Sequence, residues 1–339
     1  MEGTFLNHIK LNHGWHLCSR IICMKILVTG GLGFVGHNVV RVLESFRHDV
    51  AIIDNKTTYG VIPQSELDYL MLERMCRIKT RDICIGSIEK PFDDSIFEGV
   101  DIVIHLASFP RQKVVNSNPT WGSRVMSEGL LNLLDLSVKH KVKKFVYVSS
   151  SMVYGNFGKH EFFDGMDEAA DCRPIGQYGI MKLAGEWLVQ DYSRQYNLDY
   201  TIIRPSAIYG PYDVIDRVVS KYLTTAIKGG ELIVNGIDDT LDFTHVDDAA
   251  TGIALAAVSE NTLNGTYNIT RGQSRTLLDA ANLAIKIAGK GTVIVKSRDN
   301  NFPVRGQLNT MRARSDFGYY PTIDIEEGFQ EYYDWLIQK

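Results

Sequence analysis

The chain has 339 residues, of which 45% are hydrophobic and 22% are charged, the balance of a globular protein rather than a disordered or fibrous one. Its 36 lysines and arginines and 40 acidic residues leave a net charge of −4, so no broad basic surface is available to bind nucleic acid or an anionic membrane. No apolar run is long enough to span a membrane, and the five cysteines include no C-x-x-C pair, which favours a reducing compartment. We therefore expect a cytoplasmic protein with no metal site and no membrane or nucleic-acid partner.

The first 23 residues differ from the rest of the chain. They lack the basic segment followed by an apolar run that a signal peptide requires. His8, His13, His16 and Cys18 could bind a metal ion, but their spacing matches no zinc pattern. We expect residues 1–23 to be a disordered or loosely docked extension, with the folded protein beginning at Met24.

From Met24 onward, short apolar runs alternate with stretches of helical periodicity. The expected strands are 25–29, 50–53, a segment around 76–83, 100–106, 142–148 and 200–203. The expected helices include one that reaches Leu43, 121–140 and 178–196. Because each strand is almost continuously apolar, the pattern predicts an α/β protein with a parallel sheet covered on both faces. The order of elements is that of the doubly wound (Rossmann) dinucleotide fold.

The alternation becomes less regular after Pro211. Helices at 218–228, 277–288 and 325–337 and a short strand at 232–234 predict a smaller C-terminal α/β domain over the mouth of the sheet. We expect residues 24–205 to form the dinucleotide-binding domain, with a returning segment near 240–270. Residues 206–339 should form mainly the substrate domain.

A glycine-rich loop follows the first strand. Gly30, Gly33 and Gly36 give the spacing G-x-x-G-x-x-G at the start of the predicted helix. Glycines at such a turn let backbone N–H groups approach a pyrophosphate, and the helix N-terminus favours its negative charge. Asp54 ends the next strand, where a carboxylate can bind the ribose hydroxyls of NAD and repel the 2′-phosphate of NADP. The alternative is a purely structural turn between strand and helix.

Tyr178 and Lys182 are four residues apart on a predicted helix, so their side chains lie on one face. A close ammonium and a bound, positively charged nicotinamide would lower the pKa of the phenol and make it a proton acceptor. Three serines, 149–151, directly follow the fifth strand, where the strand ends line the ligand crevice and a hydroxyl can hold a substrate oxygen. The alternative is that the tyrosine and lysine are simply two exposed helix residues.

Together these motifs resemble the NAD-dependent epimerase/dehydratase family, a branch of the extended short-chain dehydrogenases/reductases, and within it the UDP-glucose 4-epimerase type. The matching segments extend from the loop at residues 29–36 through 204–211 and 241–248 to 317–321. The resemblance implies a catalytic hydroxyl, phenol and ammonium, carried here by Ser150, Tyr178 and Lys182. It also implies an NAD site formed by Gly30, Gly33, Phe34, Val35, Asp54, Asn55, Lys56, Asp82, Ile83, Leu106, Ala107, Ser108, Tyr178, Lys182 and Pro205.

Several positions depart from the family pattern. Dehydratases of the family carry Asp and Glu after the catalytic hydroxyl, whereas this chain has Ser151 and Met152, which argues against 4,6-dehydration. Leu241 and Ala207 stand where many members have the Arg and Asn that help to hold the substrate diphosphate.

The remaining cationic candidates of the C-terminal part are Arg217, Arg298 and Arg305. Guanidinium groups suit bidentate phosphate binding, and we favour Arg305, the alternative being a solvated surface arginine. The predicted substrate-binding residues are Ser150, Ser151, Met152, Tyr178, Arg217 and Arg305.

The resemblance implies an NAD-dependent 4-epimerase that inverts a nucleotide-linked sugar, with a UDP-sugar favoured, through a transient 4-keto intermediate. A net NAD(P)-dependent oxidoreductase on the same fold is the main alternative, and a non-catalytic NAD-binding scaffold is a third. The family commonly forms homodimers through the helices predicted at 121–140 and 178–196, and we expect a homodimer.

Overall fold

The computed structural model describes residues 23–109, 112–158, 164–213, 217–300 and 302–338. Seven strands form a parallel sheet in the order β11-β6-β5-β4-β1-β2-β3. These strands are β1 Lys25–Thr29, β2 Asp49–Asp54, β3 Ile83–Ile85, β4 Ile102–His105, β5 Lys144–Val148, β6 Asp199–Pro205 and β11 Gly265–Ile269. The doubly wound parallel sheet expected from the sequence is confirmed.

Helices cover both faces of this sheet. The elements are α1 Phe34–Ser45, α2 Gln64–Cys76, α3 Gln112–Ser117, α4 Pro119–Ser123, α5 Gly129–Lys139, α6 Gln177–Tyr196 and α8 Val246–Val258. A five-residue π-helical segment, Arg124–Glu128, joins α4 to α5. Apolar side chains of α1, α2 and α8 pack on one face and those of α5 and α6 on the other. The strands are apolar on both faces for this reason.

The C-terminal part adds small two-stranded sheets and further helices above the seven-stranded sheet. The strands are β7 Ile208–Tyr209, β8 Glu231–Asn235, β9 Thr240–Asp242, β10 Thr244–His245, β12 Ser274–Thr276 and β13 Thr292–Lys296. The helices are α7 Val218–Ile227, α9 Leu277–Ala288, α10 Met311–Phe317 and α11 Ile325–Ile337. A separate apolar core joins α7, α9 and α11 to β8 and β9.

The chain returns to the large sheet late. Strand β11 pairs with β6, with Gly265 opposite Thr201 and Ile269 opposite Pro205. Helix α8 packs on α1 through small and branched side chains such as Ala250 and Ile253. Its C-terminal end is held by Lys144, whose buried Nζ donates to the carbonyl oxygens of residues 256, 257 and 259 at 2.8–2.9 Å and to the hydroxyl of residue 262 at 2.7 Å.

One expected strand is misplaced. The sequence predicts the third strand around 76–83, but α2 ends at Cys76 and β3 spans only Ile83–Ile85. Strand β3 takes its position from pairing with β2, which places Ile83 opposite Ile52 and Ile85 opposite Asp54. The strand ends two residues later than predicted, at residue 85 instead of 83, so different side chains reach the carboxyl end of the sheet. The N-terminal extension, residues 1–23, lies outside the described residues except for its last position.

Candidate active site

A cleft of about 280 Å³ opens at the carboxyl end of the seven-stranded sheet. The parallel register brings these strand ends to one level, because Thr29 of β1 lies opposite both Ile53 of β2 and His105 of β4. The segments that directly follow β1, β2, β4, β5 and β6 therefore all line the cleft, and residues before α7 cover it.

The glycine loop forms one wall. Gly30 adopts a φ of +70°, and a Cβ there would lie 2.9 Å from the backbone nitrogen of Ala107. A Cβ on Gly36 would lie 2.0 Å from the carbonyl oxygen of Gly30. The backbone can therefore turn this tightly only without side chains, and the turn aims the N-terminus of α1 into the cleft, where it favours an anion. Gly33, Phe34 and Val35 line the same wall.

Asp54 is buried at the end of β2, with 7% of its surface exposed. Its two carboxylate oxygens accept hydrogen bonds from the backbone nitrogens of Leu32, at 3.0 Å, and Lys56, at 2.7 Å. Burial raises the pKa of this carboxyl, and the two hydrogen bonds act against that shift. The carboxylate is thus fixed beside the glycine loop, in the position that a ribose requires.

Residues after β4 and β6 complete the wall around the cleft. Leu106, Ala107 and Ser108 line it from one side and Pro205 from the other. The turn after β4 is fixed by Thr29, whose hydroxyl pairs with His105 Nδ1 at 2.8 Å and accepts from the backbone nitrogen of Ala107 at 3.2 Å.

The three residues expected to be catalytic meet at the floor of the cleft. Ser150 caps a short 3-10 helix, accepting from the backbone nitrogen of Met152 at 3.2 Å, and its hydroxyl lies near enough to the Tyr178 phenol to lower the pKa of that group. Lys182 lies one turn after Tyr178 on α6, and its Nζ donates to the carbonyl oxygen of Val148 at 2.8 Å. The hydroxyl, the phenol and the amine therefore share one small space.

Burial is the main cause of the pKa shifts in this group. Burial raises the pKa of the Tyr178 phenol, and the opposing influences are the Arg217 guanidinium and the hydrogen bond with Ser150. Burial also lowers the pKa of Lys182 to about 7, with the charge of Glu186 acting against that shift. The cation that favours the phenolate in this structure is thus Arg217. The positive nicotinamide ring would add to it.

Arg217 is the cationic candidate that the structure does bring to the cleft. Its Nε lies 3.3 Å from Oδ2 of Asp213, a carboxylate with 1% of its side chain exposed, and its guanidinium lies 5.9 Å from the ring centroid of Phe34. The N-terminus of α7 is thereby held against the start of α1.

Three of the predicted cofactor residues are not brought to the cleft. Among the described residues, those that line the cleft do not include Asp82, Ile83 or Lys56. Asp82 precedes β3, at the opposite edge of the sheet, and its half-exposed carboxylate pairs with Lys25 at 3.5 Å. Because β3 begins later than predicted, Gly86 and Ile88 reach the cleft in place of the expected pair. Asn55 does line the cleft, whereas Lys56 contributes only its backbone nitrogen to Asp54.

Three predicted substrate residues also lie elsewhere. Ser151 and Met152 are buried in the 3-10 helix after Ser150 and do not belong to the described lining of the cleft. Arg305 is placed beside β9, where its carbonyl oxygen accepts from the hydroxyl of Thr240 at 2.5 Å. Burial lowers the pKa of its guanidinium to about 10, with Asp239 acting against that shift.

Sequence reasoning missed an aromatic cluster at the mouth of the cleft. Tyr59 stacks on Phe109 with ring centroids 4.1 Å apart, and Trp121 packs edge-on against both rings. Tyr59, Thr57 and Thr58 follow Asp54, so the rule that strand ends line the crevice could have found them. Arg74 also lines the cleft but comes from the middle of α2, where no sequence signal marks it.

A glycine cradle, a buried carboxylate at the end of the next strand and a Tyr-x-x-x-Lys pair on one doubly wound sheet define a dinucleotide-dependent enzyme. The chain belongs to the NAD dependent epimerase/dehydratase family, whose sequence profile matches residues 26–270. NAD is the cofactor, and the cradle at Gly30 and Gly36, which side chains would fill, fits it.

Individual relatives cover almost the whole chain. A putative UDP-glucose 4-epimerase of Methanocaldococcus jannaschii is 29% identical, over 92% of this chain and 98% of that protein. A dTDP-glucose 4,6-dehydratase of Streptomyces niveus is 26% identical, over 92% of each chain. The solved structure of UDP-glucuronic acid 4-epimerase from Bacillus cereus, in complex with UDP-glucuronic acid and NAD, has a TM-score of 0.84 at 25% identity, covering 93% of this chain and 99% of that one. The chain is therefore similar both to epimerases and to dehydratases.

The described residues contain no group of three or more side chains arranged to hold a metal ion. Among the helices that the structure describes, none has the length and apolar character needed to cross a bilayer.

Proposed function

We propose that this protein is an NAD-dependent 4-epimerase of a nucleotide-linked sugar, with a UDP-sugar as the substrate class. The observation that carries the proposal is the meeting of Ser150, Tyr178 and Lys182 beside the glycine cradle. The acidic pair that dehydratases use after the catalytic hydroxyl is replaced by Ser151 and Met152, which are buried and bring no carboxyl group. The similarity to UDP-sugar 4-epimerases supports the choice of substrate.

The residues of the cleft have two roles, proton transfer and positioning of the sugar hydroxyl. NAD bound at the glycine cradle would supply the acceptor for the C4 hydride of the sugar and would return that hydride to the 4-keto carbon. Tyr178 takes the proton of the sugar hydroxyl, and Ser150 orients that hydroxyl by a hydrogen bond. The Arg217 guanidinium favours the phenolate, and Lys182, as an ammonium, would hold the nicotinamide ribose. When the 4-keto sugar has turned over in the site, Tyr178 gives the proton back. No net oxidation occurs, so the cofactor stays bound.

The substrate diphosphate needs cationic partners. Arg217 lines the cleft close enough to Tyr178 to affect its pKa, and we assign it to the substrate. We also assign Arg305, because it lies beside β9, the strand that carries Leu241, and the described contacts of its guanidinium include no hydrogen bond. Two guanidinium groups would then take over the role of the arginine that many family members have at the position of Leu241.

The Tyr178→Phe variant tests the reaction. The protein is incubated with UDP-, GDP-, CDP- and dTDP-sugars, and NMR identifies inverted stereocentres. Removing the phenolic oxygen should lower turnover by roughly 10²–10⁴-fold and leave NAD binding unchanged. Tyr192→Phe is the matched control, since Tyr192 lies on the same helix and its hydroxyl binds only Asp135 at the surface, at 2.6 Å. Unchanged turnover in Tyr178→Phe would remove the phenol from the mechanism.

A net oxidoreductase is the second candidate, favoured by Leu241 and Ala207 at positions where the diphosphate is usually held. Such an enzyme changes the near-ultraviolet absorbance of free nicotinamide in proportion to the substrate consumed. An epimerase converts many equivalents of sugar while the free cofactor stays constant. The two candidates are therefore separated by one absorbance measurement during the sugar incubations.

We further propose a homodimer that acts in the cytoplasm. Helices α4 and α6 expose Trp121, Ile180 and Trp187, with 46%, 52% and 62% of their surfaces accessible. Large apolar side chains on neighbouring helices are typical of an association surface. These helices are the ones that the sequence predicts as the dimer contact.

A further inference from the structure

A buried ion pair lies directly behind the catalytic residues. Arg204 Nε and Nη2 donate to Oε1 and Oε2 of Glu186, at 3.0 and 2.7 Å. The two residues expose 6% and 2% of their surfaces. Bidentate pairs of this kind are geometrically specific, and burying one requires that every remaining polar group be satisfied.

The pair is connected to three segments of the site. Glu186 lies one turn after Lys182 on α6, and its Oε1 accepts from the hydroxyl of Ser149 at 2.5 Å. Ser149 precedes the catalytic Ser150 at the end of β5. Arg204 precedes Pro205, which lines the cleft at the end of β6. One carboxylate thus joins the strand end that carries the hydroxyl, the strand end that carries the proline and the helix that carries the amine.

We propose that Glu186, fixed by Arg204 and Ser149, is the positioning residue for Lys182 and keeps it an ammonium when NAD enters the cleft. The inference rests on the role of Lys182 at the cofactor given under the proposed function, and is independent of which sugar is inverted. We assign Glu186 no contact with the cofactor or the substrate. It acts through Lys182 alone.

The electrostatics support this assignment. Burial takes the pKa of Lys182 down to about 7, and the one charge that acts against this shift is that of Glu186. Without that carboxylate, an amine buried this deeply would lose its proton below neutral pH. The ammonium would then no longer be available to hold the nicotinamide ribose.

Burial favours the neutral form of several titratable groups around Lys182. Burial lowers the pKa of His105 on β4 to about 3 and raises the pKa of Tyr147 on β5, whose ring centroid lies 5.1 Å from Lys182 Nζ. Burial likewise raises the pKa of Tyr178 on α6 and of Cys172. The carboxylate of Glu168 accepts from the backbone nitrogen of Asn268 at 2.7 Å. The Arg217 guanidinium, which acts on Tyr178, is a further charge in the cleft. Among the described groups, Glu186 is the one whose charge raises the pKa of Lys182.

A purely structural role is the competing explanation. Arg204 Nη1 also donates to the hydroxyl of Tyr154 at 3.1 Å and to the carbonyl oxygen of Glu168 at 3.3 Å. The hydroxyl of Tyr154 in turn donates to Asn268 at 2.8 Å. This network also ties β5 and β6 to β11. Loss of a structural pair would lower thermal stability but would not change the pH at which Lys182 titrates.

The experiment measures the dissociation constant of NAD by calorimetry on protein freed of nucleotide. The measurements run from pH 5 to 9, a range that roughly brackets the shifted pKa of Lys182. A plot of its logarithm against pH bends where a cleft group titrates, and Lys182→Met identifies the bend that belongs to the lysine. In the unaltered protein we expect this bend near pH 7, the value given above for Lys182. Glu186→Gln should move it to lower pH by about one unit.

Two further variants make the outcome decisive. Glu186→Gln/Arg204→Met removes both charges, so that no guanidinium is left buried alone, and it should move the bend in the same direction. Asp248→Asn is the matched control, because Asp248 is a buried carboxylate that binds the backbone nitrogens of Thr322 and Ile323, at 3.0 and 2.9 Å, and does not line the cleft. It should lower the melting temperature and leave the bend in place. A bend that stays near its original pH in either folded Glu186 variant overturns the proposal, whether or not the protein proves to be an epimerase.

Discussion

Replacing Gly36 by alanine tests whether the glycine cradle is the element that admits the cofactor. Gly36 lies in the first turn of α1, and its neighbours are backbone atoms of the same loop. An added Cβ would lie 2.0 Å from the carbonyl oxygen of Gly30, 2.8 Å from Cα of Gly31 and 2.9 Å from the carbonyl carbon of Gly30. All three distances are shorter than those that real Cβ atoms show. No side chain can rotate away to relieve them.

The contact can therefore be relieved only by moving the loop away from the helix. Over-packing of this kind costs roughly 1–3 kcal/mol. The displaced backbone N–H groups are those that face the pyrophosphate, so the cost falls on cofactor binding as well as on folding. Since 1.4 kcal/mol corresponds to tenfold in a binding constant, the dissociation constant of NAD should rise by about 5- to 150-fold.

Calorimetric titration with NAD measures this change, and thermal unfolding without NAD measures the part that belongs to the fold. Gly158→Ala is the control, because a Cβ at Gly158 would meet a side-chain carbon of Val304 at 3.5 Å, an ordinary contact. It should leave both measurements unchanged. If Gly36→Ala binds NAD as tightly as the unaltered protein, the loop does not hold the pyrophosphate as described.

Two further predictions concern folding and assembly. Lys144→Met leaves three carbonyl oxygens at the end of α8 without their donor and should lower the free energy of unfolding by about 3 kcal/mol or more. Urea unfolding measures this, and Lys139→Met, which loses only an exposed pair with Asp94, should change it by less than about 1 kcal/mol. Trp187→Glu places a charge on the proposed dimer surface and should convert the dimer to a folded monomer in sedimentation. A dimer that persists in this variant would place the interface elsewhere.

The parts of the site that lie in continuous sequence were predictable. The glycine loop, Asp54 and the serine after β5 each follow an apolar strand directly, and the parallel register brings all strand ends to the same edge. The spacing of Tyr178 and Lys182 likewise fixed their shared helix face. These signals need no knowledge of tertiary contacts.

The positions that depend on strand pairing or on helix packing could not be predicted from the local sequence. Strand β3 has only three residues, and its position depends on β2, which no local pattern reveals. Asp82 therefore lies before β3, where its carboxylate pairs with Lys25 instead of lining the cleft. The arginine that acts on the phenol comes from the start of α7, and its approach to Tyr178 depends on how the C-terminal helices pack against α1. The charge of a buried lysine likewise depends on neighbours that are distant along the chain.

The late return of the chain to the large sheet has a consequence for synthesis. Strand β11, at the edge of the seven-stranded sheet, ends at Ile269, and the helix before it covers one face of that sheet. A nascent polypeptide that has emerged only as far as Pro205 has six of the seven strands but lacks both the edge strand and the covering helix. The seven-stranded sheet is therefore completed only after the chain has been synthesised as far as Ile269. We therefore expect a fragment that ends near Pro205 to be insoluble. Two separately encoded halves should assemble when they are co-expressed, but not when they are purified apart and then mixed.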